Sequence, residues 1–368
     1  MGAQTVHNMI KSLAISPAYA TDRTVFAGVQ DPGIYRSTDG GNTWQWVTGP
    51  EGFYNVCALA VSPAFSADHT LFAGTNGQGV FKSVDGGSTW TPASAGLANP
   101  YVSALAISPG YATDQTLFAA TSGGLCKSTD GGASWRATGT LPTGYVRSVA
   151  VSPGYAGDRT LFVGLQGHGV FKSSDGGNSW SASGLPGMYV NALAISPGYG
   201  SDHTLFAGEG SSGVFVSTNG GASWNPAGGG ISNPQIVRLV ISPAYGSDRT
   251  VFAGTYGAGV FRSSSGGTSW TLASSGIASV NLSSLAVSPA YVGDRTVFAG
   301  TVRTGVFRST DGGGSWSAIN TGLASDWVTG LAISPGYASD HTLFAATYTG
   351  GVFKSTNRGD SWSAANSG

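Results

Sequence analysis

Hydrolysis of a glycosidic bond generally needs two carboxyl groups facing one cleft about 5 to 10 Å apart, and this chain has eighteen acidic side chains from which to draw them. Eight of them, Asp22, Asp68, Asp114, Asp158, Asp202, Asp248, Asp294 and Asp340, each open the same Asp-x-Thr tripeptide. Five more, Asp39, Asp85, Asp130, Asp175 and Asp311, each stand in a Ser-x-Asp-x-Gly turn just ahead of a tryptophan. An acid that recurs at one place in every copy of a repeat is framework. That leaves Asp31, Glu51, Glu209, Asp326 and Asp360, of which the first four fall in segments that vary between copies. Asp31 and Asp326 belong to adjacent copies with Glu51 near them, so an acid pair there, with Glu209 as a further candidate, is the catalytic arrangement the sequence allows.

Histidine and cysteine offer less. His69, His203 and His341 occupy the middle of the same tripeptide in separate copies, which keeps them apart, and no Cys/His spacing suits zinc. No metal and no cofactor is expected. His7 and His168 are lone residues that read as surface polar groups, although His168 falls in a variable turn. Cys126 stands where other copies carry Phe81, Phe171 or Phe215 and is expected to fill a core site. Cys57 sits at a non-equivalent position, so no disulfide is expected. No glycine-rich phosphate loop leads into a helix, and no helix is predicted.

What must position these residues is a repeat. Trp44, Trp90, Trp135, Trp180, Trp224, Trp270, Trp316 and Trp362 fall 44 to 46 residues apart, a period that signals units unable to bury their apolar surface alone. Each unit holds four short apolar runs separated by turn signals. Strand A is Ile10 to Ser16 and its copies, ended by Pro17, Pro63 and their equivalents. Strand B is Thr24 to Gly28 with a recurrent Phe, strand C is Gly33 to Ser37 with a basic residue such as Arg36 or Lys82, and strand D starts at the tryptophan. Four short strands per period is the pattern of a β-propeller blade. The expected fold is therefore all-β, an eight-bladed propeller with four antiparallel strands per blade, forming one domain over residues 1–368. Blade boundaries fall at about 8–52, 53–98, 99–143, 144–187, 188–232, 233–278, 279–324 and 325–368. Neither end carries a spare strand, so closure is expected without strand exchange between the termini.

The turn between strands C and D, Ser37-x-Asp39-x-Gly41-x-Thr43-Trp44 and its seven copies, resembles the Asp-box, or BNR repeat, of sialidases, sortilin ectodomains, xyloglucanases and the photosystem II assembly factor. The resemblance covers essentially the whole chain, one box per blade, with Asn219, Ser265 and Asn357 replacing the acid in three copies. It implies the propeller fold but not one chemistry, because the fold serves many. It also implies that the A–B and C–D turns share one face of the blades, while the B–C and D–A segments share the face where ligands usually bind. A sialidase-like site would need three arginines, for which Arg147, Arg238 and Arg303 are available, with Tyr145 or Tyr189 supported by Glu209. The Arg-Ile-Pro motif of that family is absent. Xyloglucanases of this type use two propellers, and one is present here.

Comparison of the copies with one another confines their individuality to the B–C turns and the D–A segments. The residue just before strand A is Met9, Asn55, Tyr101, Tyr145, Tyr189, Gln235, Asn281 or Trp327, and Tyr54, Phe53, Tyr256 and Tyr348 lie in the same segments. With His168 and Arg303 they make an aromatic and polar set suited to sugars or to a peptide; packing over neighbouring blades is the structural alternative. Charged residues are 10% of the chain and the net charge is −1, which gives no field to attract nucleic acid or an anionic membrane. No apolar stretch suits a membrane span. The strand C basic residue facing the box reads as a repeated surface ion pair. The start lacks the basic-then-apolar run of a signal peptide; a secreted or cell-surface setting is expected, with a leader already removed. The sequence thus points to a monomeric, non-catalytic scaffold for a glycan or peptide. A sialidase-like glycoside hydrolase, or an amplified or designed repeat without ligand, are the alternatives.

Overall fold

The computed structural model describes residues 9–47, 49–50, 53–279 and 281–366. They form eight four-stranded antiparallel sheets, each built from four consecutive strands in the order A-B-C-D. The fold is an eight-bladed β-propeller. In blade 1 the strands are Ile10–Ile15, Val25–Val29, Ile34–Ser37 and Gln45–Val47. The chain clusters into two compact units, Met1–Ala137 with Ile319–Gly368, and Thr138–Ala318. The first contains blades 8, 1, 2 and 3, the second blades 4 to 7.

Strand B explains the packing. Its five residues are buried in every blade; in blade 1 it lies between two strands of its own sheet and between the sheets of blades 8 and 2. Side chains alternate across a strand. Val25, Ala27 and Val29 therefore face blade 8, where they cluster with Phe344 and Val352, while Phe26 points the other way into a cluster with Phe65, Leu71 and Trp90 of blade 2. The strand B phenylalanine of one blade meets an aromatic ring of the next edge to face. The pairs are Phe26–Phe65, Phe72–Tyr111 and Tyr19–Phe344 in the first unit, and Phe162–Tyr199, Phe206–Tyr245 and Phe252–Tyr291 in the second, all with centroids 5.8 to 6.0 Å apart. Each such pair adds about 0.5–1.5 kcal/mol beyond area burial. Gly28 shows how closely the blades approach, since a Cβ there would lie 2.7 Å from Val56 Cγ1 of blade 2.

The last blade meets the first by the same means. Besides the Tyr19–Phe344 pair, Thr329 Oγ1 donates to the Ile10 carbonyl at 2.9 Å and Lys354 Nζ to Asn42 Oδ1 at 2.8 Å. Among the described residues no sheet mixes strands from the two ends.

One expectation is corrected here. Every A–B loop contains a single helical turn of four residues, Tyr19–Asp22 in blade 1 and Phe65–Asp68 in blade 2. Its first residue supplies the inter-blade aromatic, and its aspartate closes the turn. Asp22 accepts Ser16 Oγ at 2.5 Å and the Thr24 amide at 2.9 Å, and the same pair of bonds recurs in the other blades. The residue after the turn is left-handed, with φ from 48° to 54° from Arg23 to His341.

The C–D turn behaves as its residues suggest. Asp39 accepts from Ser37 Oγ, the amides of Asn42 and Thr43, and Thr43 Oγ1. Burial works against its charge, but these bonds win and hold the carboxyl at about 2. The indole does not simply fill its own sheet. Trp135 Nε1 donates to the Ala93 carbonyl of blade 2 at 2.7 Å, and Trp316 Nε1 to Ala273 of blade 6 at 2.8 Å. Trp224 and Trp362 do likewise with Ser183 and Ile319. The indole nitrogens of Trp44, Trp90, Trp180 and Trp270 are buried without a partner.

Candidate functional site

The site begins with a main-chain device. In every blade the ladder between strands A and B slips by one residue near the start of strand A, between Ile10 and Ser12 in blade 1. This bulge turns the preceding residue outward. The carbonyl of that preceding residue then accepts the amide of the second residue of the B–C turn. The pairs are Met9–Gln30, Asn55–Asn76, Tyr101–Ser122, Tyr145–Gln166, Tyr189–Gly210, Gln235–Tyr256, Asn281–Val302 and Trp327–Tyr348, at 2.9 to 3.3 Å. The clamp uses backbone atoms alone, so it holds the position whatever side chain it carries.

A second anchor, not foreseen from the sequence, pins the B–C turn. Thr75 Oγ1 donates to the Gly79 carbonyl and accepts the Gln78 amide. Thr121, Thr255 and Thr347 make the same two bonds in their own turns, and Thr301 donates to Gly305. In blade 5 this position is Glu209, which is 1% exposed. Its carboxylate accepts the amides of Tyr189, Ser211 and Ser212 and the Ser211 hydroxyl. Burial alone would raise its pKa, but these donors hold it below the ordinary glutamate value. Glu209 is therefore withdrawn as an acid–base candidate, because its lone pairs are spent on its own turn.

On this frame Tyr54, Tyr101, Tyr145, Tyr189, Tyr256 and Tyr348 are 37 to 57% exposed. They do not pack as core over adjacent blades. Tyr348 stacks on Trp327, with centroids 4.4 Å apart and planes 13° from parallel, which makes one two-ring platform in blade 8. His168 and Arg303 are also exposed, the latter at φ 75°. Phe53 is the exception in these segments. It is buried against Phe81 and Trp90 and belongs to the core. Both cysteines are free, Cys126 buried and Cys57 half-buried.

Asp31, at a cis Asp31–Pro32 bond, and Asp326 are exposed on separate blades, and neither borders the cavities described below. Glu51 and His7 lie outside the described residues. Arg147 is committed to Gln166 Oε1 of its own blade, at 2.7 and 3.0 Å, and Arg238 donates to the Val237 carbonyl. Among the described residues no three His, Cys, Asp or Glu side chains group as metal ligands. No described helix is long and apolar enough to cross a membrane.

Among the described residues, cavities lie at the other end of the strands, beside the A–B and C–D turns. One, of about 820 Å3, lies between blades 1 and 2 and is bordered by Asp22, Arg36, Phe65, His69, Val84 and Asp85. Another, of about 290 Å3, lies at the equivalent place between blades 4 and 5, bordered by Lys172, Tyr199 and His203. The strand C basic residue reaches across the blade interface here. Arg36 Nη1 donates to Ser88 Oγ of blade 2 at 2.6 Å, and the Asp85 charge beside it opposes the loss of its proton on burial.

No protein-family model matches the chain, and no curated protein matches it. Solved structures do. The computationally designed Ika8 protein aligns over 95% of this chain and 96% of its own, with a TM-score of 0.67 and 15% identity. A GH74 xyloglucanase from Xanthomonas campestris aligns over the whole of this chain with a TM-score of 0.58 and 17% identity; this chain spans 56% of its length. YCF48, solved bound to D1 peptide, aligns over 81% of this chain and 92% of its own, with a TM-score of 0.54 and 13% identity. These likenesses establish the propeller fold and nothing finer.

Proposed function

We propose that this chain is a non-catalytic recognition scaffold of the Asp-box propeller type, binding a glycan on the tyrosine-bearing B–C and D–A segments. The observation that carries the reading is the conjunction of the backbone clamp with half-exposed tyrosines at clamped or adjacent positions. A fold that secures these positions through main-chain atoms has no structural need of tyrosine there, and an exposed phenol ring costs apolar hydration that only a ligand would recover. Rings with hydroxyl and amide neighbours and little charge suit neutral sugars. The hydrolase alternative loses Glu209, which leaves Asp31 and Asp326 as its only described acids on this side. A secreted or cell-surface location, a single domain and a monomeric state belong to the same proposal.

The test is an array of glycans and peptides probed with the full chain, with glycosidase activity measured on the same preparation. Glycan binding without turnover, abolished by replacing Tyr101, Tyr145 and Tyr189 together with alanine while the melting temperature holds, is the expected result. Turnover of any glycan, or a large loss of stability in the triple variant, would refute the reading. Capture by peptides alone would replace the ligand class.

A further inference from the structure

The larger cavity lies where the second blade departs from the other seven at two places, Phe65 and Val84, and carries a histidine that it shares with blades 5 and 8. The aromatic residue of the A–B helical turn is Tyr in seven blades and Phe65 here. Tyr19, its equivalent in blade 1, donates its hydroxyl to the Gly40 carbonyl at 3.1 Å, a bond Phe65 lacks the atom to make. The left-handed residue that follows is Arg in blades 1, 4, 6 and 7, where the guanidinium lies 5.4 to 5.7 Å from the tyrosine ring centre and covers it. In blade 2 it is the shorter His69, set edge to face against Phe65 at 6.0 Å. The second residue of the C–D turn is Thr or Ser in seven copies, whereas in blade 2 it is Val84, 62% exposed. The smaller cavity also has histidine, His203, at the left-handed position, but keeps Tyr199. Histidine stands at both grooves, and Phe65 with Val84 accompanies the larger one.

The groups that line it define what would fit. Arg36, whose Nη1 donates to Ser88 Oγ, and His69 both border the cavity. Opposite them stand two carboxylates, Asp22 and Asp85, each tied to its own turn. An anion drawn to Arg36 would meet both carboxylates, and a cation would meet the guanidinium. A neutral polyol satisfies donors and acceptors of both kinds at once, and Val84 offers an apolar patch to a sugar face. The volume falls within the roughly 300–1,000 Å3 typical of small-ligand sites. We infer that the cavity between blades 1 and 2 is a saccharide site for a neutral pyranose unit, separate from the tyrosine face and on the opposite end of the strands.

The test titrates the full chain with D-glucose, D-galactose, D-xylose and cellobiose, and follows the ring resonances of His69 by NMR. The variant F65Y/H69R/V84T installs residues that other blades carry at these positions, so the fold tolerates it; H69R alone serves as the second variant. At least one saccharide shifts the His69 resonances, and either variant weakens that binding by about tenfold or more, the worth of one or two hydrogen bonds to a neutral ligand. Replacing Tyr101, Tyr145 and Tyr189 with alanine leaves it unchanged, which separates this site from the one proposed above. Silence of His69 towards every sugar, equal binding by parent and both variants, or loss of the shift in the tyrosine variant would each overturn the inference.

Discussion

Blades 3 and 5 carry the same C–D turn except for one atom pair: Ser128-Thr-Asp130-Gly-Gly-Ala-Ser-Trp135 against Ser217-Thr-Asn219-Gly-Gly-Ala-Ser-Trp224. Replacing Asn219 with aspartate therefore converts one turn into the other and isolates the value of the charge. Asn219 Oδ1 accepts Ser217 Oγ and the Ser223 amide, both at 2.9 Å, and its amide nitrogen donates to Ser223 Oγ at 2.8 Å. Asp130 makes the same contacts with the last one reversed, the Ser134 hydroxyl donating to the carboxylate at 2.5 Å. Burial opposes the Asp130 charge, but the bonds from Ser134 and Ser128 hold the carboxyl at about 2 against an ordinary 3.8. At full strength that drop converts to about 2.4 kcal/mol. The group is exposed, and solvent screening reduces the expected gain to about 1 kcal/mol. Because the folded pKa is depressed, the gain is fully present above 3.8 and is lost as pH falls through about 2. Urea unfolding of parent, N219D and N219D/N357D at pH 7 and near pH 2 is the assay. At neutral pH the single variant gains about 1 kcal/mol and the double about twice that, since the two turns share no partner; near pH 2 most of either gain is gone. Equal gains at both values, or none at pH 7, would refute the account of the turn as a carboxylate staple.

Three further outcomes follow from contacts described above. W135F costs about 1 kcal/mol more than W90F in urea unfolding, because only Trp135 has a buried indole hydrogen bond to lose. E209A destabilises by about 1–2 kcal/mol, leaving amides of its turn without their buried acceptor, whereas E209T recovers most of the loss by restoring the anchor used in blades 2, 3, 6, 7 and 8. Unfolding curves of the two variants decide it, and equal losses would show that the carboxylate itself matters. F162A, at a fully buried strand B ring, costs about 3–5 kcal/mol, while Y145A changes stability by less than about 0.5 kcal/mol; thermal melts of the pair separate core from rim.

The four strands of each blade were legible because their punctuation is local: a proline ends strand A, a Gly-rich turn follows strand B, and the tryptophan marks strand D. The helical turn Tyr19–Asp22 was not, since four residues are too few to show a helical period. For the same reason Tyr19, Tyr111, Tyr199, Tyr245 and Tyr291 read as loop residues, although each meets the strand B phenylalanine of the previous blade. The role of Glu209 was recoverable in principle, for Leu205-Phe-Ala-Gly-Glu209 aligns with Leu71-Phe-Ala-Gly-Thr75. Residue type alone does not show that the threonine both ends a strand and anchors the turn that follows it. Phe53 and Tyr54 are neighbours of like character, one buried and one exposed, and only the cluster around Trp90 tells them apart. The cavity at His69 depends on Arg36 of one blade meeting Phe65 and Val84 of another, a conjunction that a linear reading does not contain.

The clamp at the start of strand A makes no demand on the side chain it secures. Methionine, asparagine, glutamine, tyrosine and tryptophan are all tolerated there within a single polypeptide. Selection acting on those sockets can rewrite what the surface grips one residue at a time, with no debt of folding to settle afterwards.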